Sequence, residues 1–316
     1  MKITSNTPAP SDRGVQSYAT GRQYELRRGD AVAVVTELAA GLREFRRGAV
    51  LLTETYADHE IPPGAAGITL APWANRIEGG TWQLDGKEQQ LDITEVSRNN
   101  ASHGLLRNAG YALVDESEHS VTLEAAIFPQ HGYPFLVRHQ VRYGINEGLG
   151  LEVRQTLLND GGAPAPFVLG AHPYLRVGDT AAEDLVLTVG ADTQLVADER
   201  KIPRSHAPVS GDVDFRDGRT VGMLDVDVAL TGLDFRDGRA RHVLADPQGR
   251  AVSLWQDTSC GYVHVFITPT YPGRTRAVAL EPMTGPANAF NSGEGLRWLQ
   301  PGESFTMEWG IDYTAG

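Results

Sequence analysis

The sequence predicts an all-β fold, a large antiparallel β-sandwich, and three observations predict it. Short segments of alternating apolar and polar residues recur along the chain, as in strands with one face buried. Glycine (35) and proline (18) are dense among the 316 residues and fall between those segments, where turns need them. Helical periodicity is scarce, with no amphipathic stretch beyond about two turns.

Residues 1–20 read as a loose arm. Segments 23–26, 31–38 and 48–53 then read as short strands of a meander, with Ala39-Ala40-Gly41 ending the second. In Gly80-Thr81-Trp82-Gln83-Leu84-Asp85-Gly86 the alternation runs into an Asp-Gly hairpin signal. Segments 121–127, 136–143 and 149–157 alternate Val and Leu with Arg, His, Gln and Glu. Residues 167–171 read as a strand in which Gly170 makes a bulge. Residues 197–221, with their Asp-Gly pairs and prolines, read as a long loop. Segments 251–255, 262–267 and 304–309 return to alternation. No repeat and no low-complexity linker divides the chain, so residues 1–316 are expected to form one domain, too long for an immunoglobulin-size sandwich.

Apolar content of 41% marks a globular chain with ample material for a core. A net charge of −12 disfavours nucleic acid and anionic lipid as partners. Cys260 is the sole cysteine, so neither an internal disulfide nor a thiolate metal site is expected; it reads as a core residue. No signal peptide is visible and no stretch reaches the ~18–20 apolar residues of a membrane helix. A cytoplasmic protein is expected, as a monomer or homodimer.

Four polar constellations interrupt the β pattern. In Ala71-Pro72-Trp73-Ala74-Asn75-Arg76-Ile77, Asn75 and Arg76 can bind hydroxyls while Trp73 stacks on a ring; equally, Arg76 can be a surface ion pair and Trp73 core. His103-Gly104 can admit a ligand to backbone, or be an ordinary loop. His172-Pro173-Tyr174 offers an imidazole, or a turn. Glu281, closing the apolar run Ala277-Val278-Ala279-Leu280, is a carboxylate placed where desolvation can tune it toward general-base work, or simply the end of a strand. His103, His131, His172, His206 and His264 lack zinc-site spacing, and no Gly-x-Ser-x-Gly elbow or nucleotide-binding loop occurs. A glycosidase would pair Glu281 with a second acid, and none sits in an equally persuasive context.

Taken in order, the motifs resemble the aldose 1-epimerase (galactose mutarotase-like) family. They are Asn75-Arg76-Ile77, His103-Gly104, Asn159-Asp160-Gly161, Gly170-Ala171-His172-Pro173-Tyr174, Leu280-Glu281-Pro282 and Leu299-Gln300-Pro301-Gly302-Glu303. The resemblance runs from about residue 30 to the C-terminus. Ala-Pro-Trp and His-Gly-Leu-Leu-Arg look most like a bacterial branch related to sulfoquinovose mutarotase-like proteins. The resemblance implies a β-supersandwich and a monosaccharide substrate, its α and β anomers interconverted without metal or cofactor. By motif, Glu281 would be the base at the C1 hydroxyl, His172 the acid at the ring oxygen, and His103 a ligand near that oxygen. Asn75, Arg76 and Tyr174 would also bind the sugar. The family's sugar-binding Asp matches Asp227 best, with Asp225 and Asp234 as rivals, and His264 stands where many members carry Gln. The elementary chemistry agrees. Mutarotation moves protons at two oxygens ~2.3 Å apart across C1, and one acid and one base suffice. Trp73, Tyr174 and Trp255 are available for stacking. Two alternatives stay open: an epimerase of a charged sugar, sulfonated or phosphorylated, using Arg76, Arg107 and Arg176; and a non-catalytic sugar-binding protein.

Overall fold

The computed structural model describes residues 18–316. Two antiparallel sheets dominate. The ten-stranded sheet runs, in spatial order, Ala112–Glu116, Ser120–Ile127, Val137–Ile145, Leu151–Asn159, Ser304–Thr314, Ala251–Asp257, Arg239–Ala245, Val186–Val189 and Arg219–Thr220, with Phe235–Arg236 beside Arg239–Ala245. The eight-stranded sheet runs Pro203–Pro208, Ala191–Ala197, Val226–Leu233, Tyr262–Thr268, Ala277–Met283, Gly170–Ala171 and Thr69–Leu70, with Tyr174–Leu175 also on Ala277–Met283. Alternate residues of the first sheet (Val141, Val153, Leu157, Leu254) meet Val263, Val265, Val278 and Leu280 of the second in one apolar cluster, the sandwich its alternation predicts. The single α-helix among the described residues is one turn, Ala289–Ser292.

Three expectations change. Of the arm 1–20, residues 1–17 lie outside the described residues, but the stretch after them is tied down. Ala19 N–H donates to Asp58 O at 2.8 Å, and Thr20 is buried. The loop 197–221 contains the edge strand Pro203–Pro208; its side chains are largely exposed, so no alternation betrays it, and prolines suit an edge. Gly170 makes no bulge. Gly170 pairs with Met283 and Tyr174 with Ala279, so the register is unbroken across His172-Pro173. The glycine serves close packing instead, since a Cβ there would lie 3.1 Å from both Ala74 Cβ and Pro282 O.

Two histidines, His139 and His242, are wholly buried between the sheets. Burial pushes each imidazole down to about 4, with hydrogen bonds to Gln155 and Gln256 opposing. Their unfolded pKa lies near ~6.5, so below that pH the unfolded chain binds more protons and stability must fall. Between pH 7.5 and 5 each should remove about 2 kcal/mol of unfolding free energy. Urea titrations at the two pH values check this; equal midpoints would refute it.

Candidate functional site

Register builds the site. His264 pairs directly with Glu281, and the unbroken ladder on the other side sets His172 opposite Glu281. Three neighbouring strands thus present imidazole, carboxylate and imidazole in a row. The next strand places Ala229 opposite His264 and Asp227 opposite Phe266, which puts the Asp227 carboxylate within 2.7 Å of His264 Nε2.

A second, short ladder, Arg76–Glu78 against Asn100–Ser102, brings the Asn-Arg and His-Gly motifs together above that row. His103 N–H donates to Asn75 O at 2.8 Å. Asn75 and His103 hold positive φ, 53° and 62° respectively, so the chain turns sharply at each. Gly104 follows at φ 78°, where a Cβ would lie 2.0 Å from Ala71 O; only glycine permits this approach.

These elements enclose an open cleft of about 460 Å³ lined by Asn75, Arg76, His103, His172, Asp227, His264 and Glu281, among others. His172 Nε2 lies 3.3 Å from Glu281 Oε1 at its buried floor. Four buried atoms of these side chains have no hydrogen-bond partner among the described residues: Nδ1 of His103, His172 and His264, and Oε2 of Glu281. The polar side chains that line the cleft suit a hydroxyl-rich ligand.

Electrostatics divide the groups. Burial pushes the His172 imidazole below its usual 6.5, and the Glu281 charge opposes this. Burial takes His103 well below 6.5, helped by the positive potential of His172 and Arg107, so it is neutral. For Asp227, burial acts upward but the His264 hydrogen bond and the charges of His264, Arg76 and Lys201 outweigh it; its carboxyl stays far below the usual range. Arg76 is fixed by two hydrogen bonds to Glu95, at 2.8 and 3.1 Å, and a third to Asn75 Oδ1 at 3.1 Å.

Other expected residues lie elsewhere. Trp73 is core, edge-on to Phe290 at 6.2 Å. Tyr174 backs His172 instead of lining the cleft, its ring stacked at 5.2 Å and its hydroxyl donating to Gly64 O. Trp255 belongs to the opposite sheet, beneath Arg239. Of the three arginines, Arg76 and Arg107 converge on the cleft; Arg176 is held by Asp179 and Glu54 outside it. His131 and His206 pair with Asp92 and Glu294 at the surface, and no cluster of metal-ligating side chains occurs among the described residues. Cys260 is buried and free. Sequence reading missed Glu95, Lys201 and Phe266. Phe266 was accessible from its spacing of two from His264, whereas Glu95 and Lys201 come from irregular segments that carry no signal.

Comparison with known proteins places the chain in a family. A family model described as Aldose 1-epimerase matches residues 22–311. The chain is 31% identical over 296 residues to the uncharacterized protein YihR of Escherichia coli (strain K12), covering 93% of this chain and 94% of that one. It is 29% identical over 231 residues to the galactose mutarotase of Homo sapiens, covering 67% and 66%. In fold it matches a galactose mutarotase-like protein from Clostridium acetobutylicum with a TM-score of 0.82 at 16% identity, over 92% of this chain and 94% of that one. The galactose 1-epimerase from Lactobacillus acidophilus NCFM matches with a TM-score of 0.77 at 19% identity, over 92% and 93%. No helix among the described residues is long and apolar enough to cross a membrane.

Proposed function

The chain belongs to the aldose 1-epimerase family, sugar isomerases, and from that premise we propose that Glu281 and His172 interconvert the α and β anomers of a free hexose. The observation that carries the proposal is the buried pair itself. An imidazole nitrogen and a carboxylate oxygen 3.3 Å apart face a hydroxyl-seeking cleft.

The steps follow from that placement. Glu281 takes the proton of the C1 hydroxyl, and the C1–O bond to the ring oxygen breaks as the C1 carbonyl forms. The bond's electrons pass to the ring oxygen, which His172 protonates from Nε2. Rotation about C1–C2 presents the other carbonyl face. The ring hydroxyl attacks it, returning its proton to His172, while Glu281 returns the first proton to O1. Neutral His103 supplies a hydrogen bond near the ring oxygen. Asn75, Arg76, Asp227 and His264 hold hydroxyls, with Arg76 and Asp227 fixed in their charged states.

One observation favours a second substrate reading, a sugar bearing an anionic group. Arg107 lines the cleft, and its one hydrogen bond among the described residues is a 3.4 Å contact to Ser102 O, with no carboxylate partner. Burial lowers its pKa, against the charge of Glu95, and an anion would relieve that.

Polarimetry of freshly dissolved α-D-glucose and α-D-galactose tests the proposal. Faster approach to the same final rotation is expected. If only glucose 6-phosphate or sulfoquinovose is accelerated, the charged-sugar reading holds, and Arg107→Met should then raise KM about tenfold or more. Binding without acceleration of any of the four would leave a sugar-binding protein and refute the enzyme.

A further inference from the structure

The buried histidines His139 and His242 lie outside the cleft, yet each belongs to a chain of hydrogen bonds that ends in the catalytic sheet. His139 Nε2 contacts Gln155 Oε1 at 3.2 Å, and Gln155 Nε2 donates to Gly170 O at 3.1 Å. His242 Nε2 contacts Gln256 Oε1 at 3.2 Å, and Gln256 Nε2 donates to Tyr262 O at 2.9 Å and Cys260 O at 2.6 Å. Gly170 stands two residues before His172, and Tyr262 two residues before His264. The ten-stranded sheet therefore reaches across the core twice, each time to the carbonyl two positions ahead of a cleft imidazole.

Donor and acceptor logic fixes the direction of both chains. A carbonyl only accepts, so each glutamine must turn its amide nitrogen to the backbone and its oxygen to the histidine. The histidine must then carry its proton on Nε2, and a neutral ring leaves Nδ1 bare. Tyr111 satisfies this at His139, its hydroxyl lying 2.7 Å from Nδ1. All five side chains are buried, and a glutamine locked by a neutral histidine cannot flip without stranding a donor.

We propose that Gln155 and Gln256 are positioning residues for the isomerisation, Gln155 setting the acid His172 and Gln256 setting the hydroxyl ligand His264. The proposal rests on the reaction proposed above, but its geometry does not. The two braces act on different strands, so they should act on different kinetic constants.

The test uses Gln155→Met and Gln256→Met, which keep length and apolar bulk and remove the amide, with Tyr111→Phe as a milder lesion of the first chain. Mutarotation is followed by polarimetry, and the ring nitrogens of His172 and His264 by NMR in the same proteins. Gln155→Met should lower kcat about 10- to 100-fold with little change in KM, and shift the His172 signals alone. Gln256→Met should raise KM about tenfold, spare kcat, and shift the His264 signals alone. Tyr111→Phe should follow Gln155→Met with a smaller loss, and it decides the matter if Gln155→Met does not fold. Folded variants with wild-type kinetics and ring signals would overturn the proposal. So would parallel losses in both that merely follow melting temperature. Should the wild-type protein mutarotate no sugar, the reaction proposed above fails, and the ring signals alone decide the braces.

Discussion

Glu281→Gln should reduce mutarotation by about 10²- to 10⁴-fold, with sugar affinity near that of wild type. The substitution changes charge and almost nothing else. Glu281 lies in a fully buried strand, Ala277–Met283, between the strands bearing His264 and His172, so an isosteric amide keeps the packing. What it removes is the carboxylate beside His172, and with it the acceptor for the C1 hydroxyl proton. It also removes the negative charge that opposes the loss of the His172 proton, so base and acid fail together. The expected loss corresponds to about 3–5 kcal/mol of barrier. Polarimetric kcat, with binding measured by calorimetry, separates the two effects. Wild-type turnover would end the assignment of Glu281 as base. Failed binding with intact folding would make it a sugar ligand instead.

How much of this was legible depends on regularity of the backbone. The row His264, Glu281, His172 rests on three strands whose pattern is plain in sequence, and the motifs pointed to two of them. Among Asp225, Asp227 and Asp234, only burial separates the candidates. Asp227 faces the cleft from Val226–Leu233, while Asp234 is spent on Arg236 at the surface. Irregular backbone hid the rest. Strand Leu42–Arg47 went unrecognised because a bulge shifts its register against Val34 and Val35. Leu42 and Phe45, three apart, both turn inward and defeat the period of two. Trp73 lies outside any strand, so alternation could not say which way its ring points, and it points into the core. Glu95, which orients Arg76, and Lys201, 3.5 Å from Asp227, approach from loops whose proximity only the tertiary fold creates. The braces by Gln155 and Gln256 are the converse case. Their inward direction follows from alternation, but which carbonyl each meets depends on how the sheets stack.

His172→Asn should give the second large loss, about 10²- to 10⁴-fold in kcat, and it carries a pH signature that a packing defect lacks. Asparagine can still donate a hydrogen bond toward the cleft, so sugar can still bind, but it holds no titratable proton for the ring oxygen. In the wild-type protein that proton sits on an imidazole whose pKa burial lowers from 6.5 and the Glu281 charge partly restores. The sign follows directly. The acid is competent while protonated, so kcat/KM, which reports the free enzyme, should fall as pH rises through a value below 6.5. His172→Asn should erase the alkaline limb and leave a low, flat profile above it. If the limb survives in the variant, the titrating acid is another residue, and His103, beside His172 at 5.4 Å between ring centres, becomes the group to replace next.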